Sequence, residues 1–469
     1  MARVAIIGAG ISGLATAHYL GRQAEVLVFE KESAPGGTMR SQREQGFVME
    51  RGPNGFLTNK PHALALAAEL GCAGRLLPAS DFARKRFVFS GGTLHRLPES
   101  PVQFLRSRLL SVRGRLRVMA EPFAAPPPSQ DESVAGFARR RLGREAMEML
   151  IEPMAAGVFA GDPDQLSLAS CFPRIHELEA RYGGLIRAML TLRRERRKAG
   201  RREGMSAGPG GTLTSFDTGV EALVEVLAGR CGGNLRLGCA VESVSRSAGK
   251  YRLAVRSAEG LAECEADAVV LAAPAFAAGG MLRGLDAGLA EELERIPYAP
   301  IAVAALGYEA AALGRPLDGF GFLVPRLEGR RILGALWDSS VFAGRAPEGK
   351  ALLRVMVGGA RQPQLARLGD KELVALVKED LRACMGISAE PVLTRVFSYE
   401  KGIPQYLVGH GRLLESITAR LRALPGLYLN SNAYRGVSLN DCVRESKATA
   451  ASAAGDAQGR AGHRFSEAT

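Results

Sequence analysis

The segment Arg3-Val-Ala-Ile-Ile-Gly8-Ala-Gly10-Ile-Ser-Gly13 joins an apolar run to a Gly-x-Gly-x-x-Gly motif. Apolar residues at helical spacing follow over residues 11–20, and a second apolar run over residues 25–30 ends on Glu30. This order predicts a strand, a glycine loop, a helix and a second strand, the arrangement in which a helix N-terminus binds a dinucleotide pyrophosphate. The alternative, a purely structural glycine turn, is disfavoured because strand, helix and acid all agree. Since the strands are apolar almost throughout, we expect a parallel sheet covered on both faces.

Each glycine of the motif has a distinct predicted task. Gly8 allows the tight turn, Gly10 lets the pyrophosphate approach the backbone, and Gly13 lets the helix pack on the strand. Glu30 is placed to bind the ribose hydroxyls. The predicted contacts of this unit are Gly8, Ala9, Gly10, Ile11, Ser12, Gly13, Glu30 and Lys31.

The overall composition is that of a globular protein with more than one domain. The 469 residues are 46% hydrophobic and 23% charged, and we expect no membrane span. The first apolar run starts close to Met1, so we expect no leader peptide. The net charge of +13 favours an anionic partner such as nucleic acid, acidic lipid or an acidic substrate. Nucleic acid is the least favoured, since the basic run over 193–202, expected to be a solvated loop, has no interleaved aromatic residues.

The cysteines and histidines indicate neither a disulfide framework nor a metal centre. The seven cysteines are an odd number without Cys-x-x-Cys spacing, which favours free thiols in a reducing compartment. The histidines contain no His-Glu-x-x-His motif. Neither a Ser-His-Asp set nor a carboxylate pair nor a cysteine nucleophile suggests itself, which leaves room for chemistry that a cofactor carries.

Two further glycine loops extend the N-terminal unit. Gly36-Gly37-Thr38 follows Glu30, and Gly52-Pro53-Asn54-Gly55 follows an apolar strand. Either loop alone is compatible with a β-turn. Together with the first motif they resemble the FAD-dependent amine oxidase superfamily, in which the first loop packs beside the cofactor and the second contacts the flavin. The resemblance implies FAD as cofactor, bound also by Gly36, Gly37, Thr38, Gly52, Pro53, Asn54, Gly55 and Val241.

The C-terminal stretch over 425–442 is more specific, because it resembles the closing flavin-binding loop of the protoporphyrinogen oxidase family. Stretches over 157–162, 319–325 and 402–410 are similar to others in that family, so the resemblance extends from residue 3 to about residue 446. It implies FAD contacts from Asn432, Val437, Ser438 and Leu439.

This resemblance implies a six-electron oxidation of protoporphyrinogen IX in heme biosynthesis, with oxygen as acceptor and hydrogen peroxide as by-product. A coproporphyrinogen III oxidase of the same fold is the nearest alternative. The reaction is centred on the flavin, so no acid–base side chain is expected. The implied substrate contacts are Arg86, Gly157, Phe320, Leu323, Leu336 and Met356. Without the resemblance, Arg86 is more simply a solvated arginine, and the apolar residues are equally consistent with core packing.

The expected architecture is α/β (α+β), with three parts. A Rossmann-type FAD-binding domain is predicted from residues 1–80, 212–278 and 394–469, and a mixed-sheet substrate domain from 81–95 and 279–393. A helical domain over 96–211 is predicted to associate with a membrane. Within it, the stretch over 104–119 combines an apolar side with five arginines, as in a helix that lies on an anionic bilayer; packing on its own domain is the alternative. The implied location is the cytoplasm, peripheral on the cytoplasmic face of the inner membrane, and a homodimer is one expected assembly.

Two serines depart from the family pattern. Ser431 replaces a usual glycine, so a positive φ there would cost stability, and Ser438 occupies a position of small residues near the flavin. These departures leave open a flavin-binding membrane scaffold with little turnover. A different amine-oxidase-like enzyme, such as an amine oxidase or a carotenoid desaturase, is a further alternative, which the motifs over 157–162 and 402–410 disfavour.

Overall fold

A computed structural model describes residues 1–198 and 211–466. The strands are β1 Arg3–Ile7, β2 Glu25–Phe29, β3 Ser41–Glu44, β4 Phe47–Glu50, β5 Phe56–Leu57, β6 Leu76–Pro78, β7 Arg86–Ser90, β8 Thr93–Arg96, β9 Leu213–Phe216, β10 Leu235–Arg236, β11 Ala240–Ser247, β12 Lys250–Ser257, β13 Gly260–Ala266, β14 Ala268–Leu271, β15 Tyr298–Glu309, β16 Gly321–Leu323, β17 Ile332–Leu336, β18 Lys350–Gly358, β19 Leu393–Pro404 and β20 Leu427–Leu429. The helices are α1 Ile11–Leu20, α2 His62–Glu69, α3 Pro101–Arg106, α4 Val112–Met119, α5 Val134–Arg141, α6 Arg144–Ala146, α7 Glu152–Phe159, α8 Leu168–Cys171, α9 Pro173–Tyr182, α10 Leu185–Lys198, α11 Glu221–Cys231, α12 Ala275–Leu282, α13 Ala287–Glu294, α14 Asp338–Val341, α15 Asp370–Met385, α16 His410–Leu421 and α17 Leu439–Ser466.

A five-stranded parallel sheet contains the N-terminal strand. Its order is β10-β2-β1-β14-β20, and Ile7 pairs with Phe29 on one side and with Leu271 on the other. The carboxyl ends of β1, β2 and β14 therefore meet at one edge. Helices α1, α11 and α17 cover one face through one apolar cluster, and the antiparallel sheet β11-β12-β13 with α12 and α13 covers the other. The predicted first strand, the helix over 11–20 and the doubly covered parallel sheet are confirmed.

A mixed seven-stranded sheet forms a second layer system. Its order is β19-β15-β18-β17-β16-β7-β8, and each neighbouring pair is antiparallel except β16 and β7. Helix α15 packs on one face through a cluster that includes Trp337, Leu373 and Leu381. The opposite face lies toward the loop over 52–55, where Arg354 of β18 donates a hydrogen bond to the Gly52 carbonyl at 2.6 Å.

One predicted domain boundary differs from the structure. Residues from 394 onward were assigned to the cofactor domain, but β19 is the edge strand of the seven-stranded sheet and pairs along β15. Its apolar residues Leu393 and Phe397 pack in one cluster with Phe47. The burial of these side chains and the backbone pairing with β15 hold residues 393–404 in the seven-stranded sheet.

The single amphipathic helix expected over 104–119 is wrong, because two helices occupy this stretch. Helix α3 ends at Arg106, and Ser107 is extended with ψ of 141°. The Ser111 side chain then accepts a hydrogen bond from the Gly114 amide at 3.0 Å, which starts α4 as an N-cap. The Arg115 side chain donates a hydrogen bond to the Ser107 carbonyl at 3.1 Å and so gives a partner to the backbone between the two helices.

Part of two surface segments lies outside the described residues. The sequence over 204–211 is rich in glycine, which predicts a surface loop, and it lies there except for Gly211. Of the basic run over 193–202, residues 193–198 belong to α10 rather than to a loop, and 199–202 are not among the described residues. In the described ranges, no helix combines the length and the apolarity that crossing a bilayer requires.

Candidate functional site

The glycine motif lies at the edge where the parallel strands end. Gly8 has φ of +105°, and its amide donates to the Phe29 carbonyl at 2.7 Å. A Cβ on Gly13 would lie 1.9 Å from the Gly8 carbonyl oxygen, so only glycine lets α1 approach the loop this closely. A Cβ on Gly10 would meet no atom within 4 Å, so the backbone here is open to a ligand. No side chain caps the N-terminus of α1, whose amides are therefore available to a phosphate.

The structure brings Glu30 next to this loop. Its carboxylate accepts hydrogen bonds from the Ala9 amide at 2.8 Å and from the Glu32 amide at 3.0 Å. Glu30 thus fixes the loop from the end of β2, close to where the fingerprint places the ribose. Lys31 is largely exposed and pairs with Glu32 at 3.5 Å, so its side chain contributes no contact inside the loop.

The other glycine loops stack against the first. The Gly36 amide donates to the Ala9 carbonyl at 2.8 Å, and Gly36 has φ of +113°. A Cβ on Gly52 would lie 2.3 Å from the Thr38 carbonyl oxygen. The loops over 8–13, 36–38 and 52–55 therefore form one continuous cradle of backbone, which fits an extended dinucleotide such as FAD.

The C-terminal loop is ordered by its own side chains. The Ser438 hydroxyl accepts from the Asp441 amide at 3.2 Å and so caps α17, which starts at Leu439 beside α1. Tyr406 is buried, and its hydroxyl donates to the Asn432 carbonyl at 2.5 Å and accepts from the Gly436 amide at 3.0 Å. Val437 packs partly buried in the same cluster as Tyr406.

The strain expected at Ser431 is absent. Among the described residues, positive φ outside glycine occurs only at Gln45, Ala160 and Ala248. The Ser431 hydroxyl instead accepts from the Ala433 amide at 3.3 Å. Serine is therefore compatible with this loop, because residue 431 does not adopt the positive φ that would cost stability.

Val241 occupies a more enclosed place than the loops. It is buried in β11, opposite Val255, and belongs to the apolar cluster that contains Phe29. The structure therefore places Val241 in the core that covers this face of the parallel sheet.

Strand register places the predicted substrate residues on one face of the seven-stranded sheet. Arg86 pairs with Gly321, Gly321 with Leu336, and Leu336 with Arg354. A second row lies two residues further along each strand. It contains Val88, Leu323, Gly334 and Met356. Because side chains two residues apart share a face, both rows lie on the face opposite α15. Leu323, Leu336 and Met356 are also partly exposed within otherwise buried strands.

Arg86 is one of two basic groups on this face; the other, Arg354, pairs with Asp338. Its guanidinium lies 5.3 Å from the Phe320 ring centroid, and its Nε atom is buried without a hydrogen-bond partner among the described residues. Burial lowers the pKa of Arg86 from its ordinary value, and the distant Glu99 opposes that shift only in part. A guanidinium in this setting can bind a carboxylate through charge-assisted hydrogen bonds.

Helix α7 covers the same face. A Cβ on Gly157 would lie 2.8 Å from a methyl group of Leu323, so a larger residue there would displace the Leu323 side chain. Beyond the helix end, Ala160 packs in a cluster with Ile301 and Met356. The face is therefore an apolar layer between α7 and β16–β18, with Arg86 near one end.

A buried ion network that the sequence did not suggest connects the β3–β4 hairpin to the seven-stranded sheet. Glu50 and Arg345 are fully buried with 3.0 Å between Oε1 and Nη2, and Asp338 and Arg354 are buried with 3.1 Å between Oδ2 and Nε. Burial raises the pKa of both carboxyl groups and lowers that of Arg345, while the paired charges oppose these shifts. Glu50 and Arg345 are nearly 300 residues apart in the sequence, so their pairing leaves no local pattern.

Comparison with protein families identifies one match over almost the whole chain. The profile described as flavin containing amine oxidoreductase matches residues 11–454. Among curated proteins, a chloroplastic protoporphyrinogen oxidase of Oryza sativa subsp. japonica is 34% identical, with 93% of this chain and 85% of the relative covered. A coproporphyrinogen III oxidase of Bacillus subtilis (strain 168) is 32% identical, with 96% and 97% covered.

A solved structure agrees with these sequence relatives. A crystal structure from Exiguobacterium sp. 255-15, provisionally assigned as a protoporphyrinogen oxidase, superposes with a TM-score of 0.83 and 28% identity. The alignment covers 97% of this chain and 98% of that one. The two folds therefore agree over both sheets and the helical segment between them.

Proposed function

Because the chain belongs to the family of flavin-containing amine oxidoreductases, we propose that it is an FAD-dependent oxidase that converts a porphyrinogen to the corresponding porphyrin. The observation that carries this proposal is the apolar layer between α7 and β16–β18. It is bordered by the partly buried cation Arg86, and it adjoins the loop over 52–55. A macrocycle with apolar faces and peripheral carboxylates fits such a layer.

Protoporphyrinogen IX is the favoured substrate, with coproporphyrinogen III as the alternative. The relatives named above act on one or the other. Leu323, Leu336 and Met356 contribute apolar side chains to the face, and its two cations are the partly buried Arg86 and the buried Arg354, which pairs with Asp338. This balance favours a substrate with few carboxylates, since each buried carboxylate requires a cationic partner.

The residues of the chain bind and orient the substrate, and FAD supplies the two-electron acceptor when it is bound. Each oxidation removes a hydride equivalent from a bridging methylene and a proton from a pyrrole nitrogen. Three such oxidations account for six electrons, and oxygen takes them to give three molecules of hydrogen peroxide. The apolar layer excludes water from the reacting carbon, and Arg86 sets the orientation through a propionate.

We also propose that the helical segment binds an anionic membrane surface on the cytoplasmic face. Six apolar side chains of this segment are 50–88% exposed: Val102, Leu105, Val112, Leu116, Met119 and Phe123. Of the five arginines nearby, Arg115 and Arg117 donate to backbone carbonyls, whereas Arg106, Arg108 and Arg113 are exposed. Apolar and basic groups on one surface favour an interface with anionic lipid.

The decisive experiment is anaerobic addition of substrate to the purified flavoprotein. We expect protoporphyrinogen IX to bleach the flavin absorbance, and oxygen to restore it while porphyrin fluorescence rises. Bleaching by coproporphyrinogen III alone would assign the alternative substrate. A flavin that neither compound bleaches would refute the oxidase proposal and favour the scaffold or another amine-oxidase-like reaction.

A further inference from the structure

The side chain of Asn54 is held by one end only. It lies in the loop between β4 and β5, and its Nδ2 atom donates to Asp338 Oδ1 at 3.2 Å. Its Oδ1 atom is buried and has no hydrogen-bond partner among the described residues. A buried carbonyl oxygen without a protein partner is free to accept a hydrogen bond from a bound molecule.

The orientation of this amide follows from the chemistry of its partner. Asp338 is fully buried, and its other oxygen lies 3.1 Å from Arg354 Nε. Arg354 in turn donates to the Gly52 carbonyl at 2.6 Å, two residues before Asn54. An ionised carboxylate only accepts hydrogen bonds, so Asn54 must turn its NH2 group toward Asp338 and its carbonyl away.

The carbonyl therefore lies where the cofactor cradle meets the substrate face. Arg354 ends the row that also contains Arg86 and Leu336. Asn54 belongs to the loop whose glycines pack on Thr38 and Thr214. A molecule bound on the face and next to this loop is in reach of Asn54 Oδ1.

We propose that Asp338 is a positioning residue that fixes the amide of Asn54, so that Asn54 Oδ1 accepts a pyrrole N–H of the porphyrinogen. The inference rests on the proposed function and deepens it. All four pyrroles of a porphyrinogen carry N–H donors, whereas the side chains of this face are apolar apart from Arg86 and Arg354, whose guanidinium groups cannot accept a hydrogen bond. A single fixed acceptor therefore selects the tilt and depth of the macrocycle, whatever its peripheral carboxylates.

The test uses Asp338→Asn and a matched control, Asp380→Asn. Asp380 is equally buried, but it accepts from the Arg331 and Ile332 amides near α15, on the opposite side of the sheet. Asp338→Asn offers an NH2 group to Asn54 and so permits the amide to turn over. We expect it to lower kcat/KM for the porphyrinogen by about tenfold, the effect of one ordinary hydrogen bond, with flavin content unchanged. Asp380→Asn is expected to retain the wild-type kcat/KM.

Two further measurements separate positioning from a structural effect. Titration of each flavin-loaded variant with porphyrin product, followed by absorbance, should show weaker binding for Asp338→Asn and not for Asp380→Asn. Asn54→Leu should lower kcat/KM by a similar factor, and the Asp338→Asn/Asn54→Leu double variant should lose little more, because both changes remove the same contact.

Each unfavourable outcome has a definite meaning. The inference is overturned if the two effects multiply in the double variant, or if Asn54→Leu keeps the wild-type kcat/KM. If Asp338→Asn does not fold, Asn54→Leu alone still decides, since Asp338 keeps Arg354 as partner. A wild-type protein that oxidises neither porphyrinogen would instead refute the proposed function.

Discussion

At the scale of single residues, the strictest requirement lies at Gly13. A Cβ there would lie 1.9 Å from the Gly8 carbonyl oxygen, and neither backbone can move without separating α1 from β1. We predict that Gly13→Ala destabilises the fold by about 1–3 kcal/mol, the usual cost of overpacking, and lowers the flavin content of the purified protein. Urea unfolding and the ratio of flavin to protein absorbance measure both effects.

The matched control is Gly411→Ala. Gly411 lies near the start of α16, and a Cβ there would meet no atom within 4 Å. We expect this variant to keep the wild-type flavin content. Equal losses in both variants would contradict the role assigned to Gly13.

His410 makes the stability of the fold depend on pH. Its ring stacks on Tyr406 with 4.3 Å between centroids, and burial lowers the pKa of His410 although Asp131 opposes the shift. The unfolded chain therefore takes up the proton first, so this contribution to stability is present above about pH 6.5 and is lost as the pH falls below it. We predict that His410→Phe, which keeps an aromatic ring, reduces the loss of thermal stability between pH 7 and 5.

His18 acts in the same direction, because burial also lowers its pKa. For His410→Phe we therefore expect a smaller loss of thermal stability between pH 7 and 5, and not a stability that is independent of pH. His176→Phe on α9 is the control, and the same change of slope there would argue against the assignment.

Residue spacing was sufficient to identify the pyrophosphate loop but not the ion network. The Gly8–Gly13 motif is local, and its neighbours follow from strand order. The pair of Glu50 with Arg345 forms only when the β3–β4 hairpin meets the seven-stranded sheet, and the pair of Asp338 with Arg354 forms only when α14 packs on β18. The expected strain at Ser431 failed for a related reason, since the loop conformation depends on its own hydrogen bonds.

At the scale of elements, the break between α3 and α4 changes the proposed membrane surface. Val112 and Leu116 lie on α4 and are 63% and 59% exposed. We predict that Val112→Asp/Leu116→Asp reduces cosedimentation with vesicles rich in anionic lipid at least about tenfold, since each apolar side chain contributes about 1.5–3 kcal/mol when fully buried.

The control for this prediction is Leu327→Asp, whose side chain is 65% exposed in the seven-stranded sheet region. It should bind vesicles like the wild type. Unchanged binding of the α4 variant would place the lipid contact elsewhere.

The elements also mark the limit of pattern-based prediction. The composition over 104–119 indicated an apolar and basic surface, but the single helix was wrong because Ser111 caps a new one. Likewise β19 has apolar residues that any sheet could bury. Only its pairing with β15 assigns it to the seven-stranded sheet. Periodicity identifies a buried face, whereas the partner of that face is a tertiary property.

At the scale of the whole molecule, the buried pair of Glu50 and Arg345 connects the strand before the loop over 52–55 to the seven-stranded sheet. Glu50 also accepts from the Val220 amide at 3.0 Å and from the Ser41 hydroxyl at 2.6 Å. We predict that Arg345→Met destabilises the protein by about 3–5 kcal/mol, because it leaves Glu50 buried without its counter-charge. Urea unfolding measures the change.

The exposed pair of Arg256 and Glu242 provides the comparison. Glu242→Gln should leave the unfolding midpoint unchanged within error, since water already solvates both groups. An Arg345→Met variant as stable as Glu242→Gln would mean that the network does not hold the sheets together.

The order of the parallel sheet has a consequence for protein synthesis. The strand β14 has no partner on its outer side until β20 is made, and α17 follows β20 in the chain. A nascent chain therefore carries an open, apolar strand edge while residues 272–426 are made, a state prone to aggregation. We expect the cofactor to be captured only after α17 has been made, so chaperone supply and expression temperature should determine the yield of soluble flavoprotein.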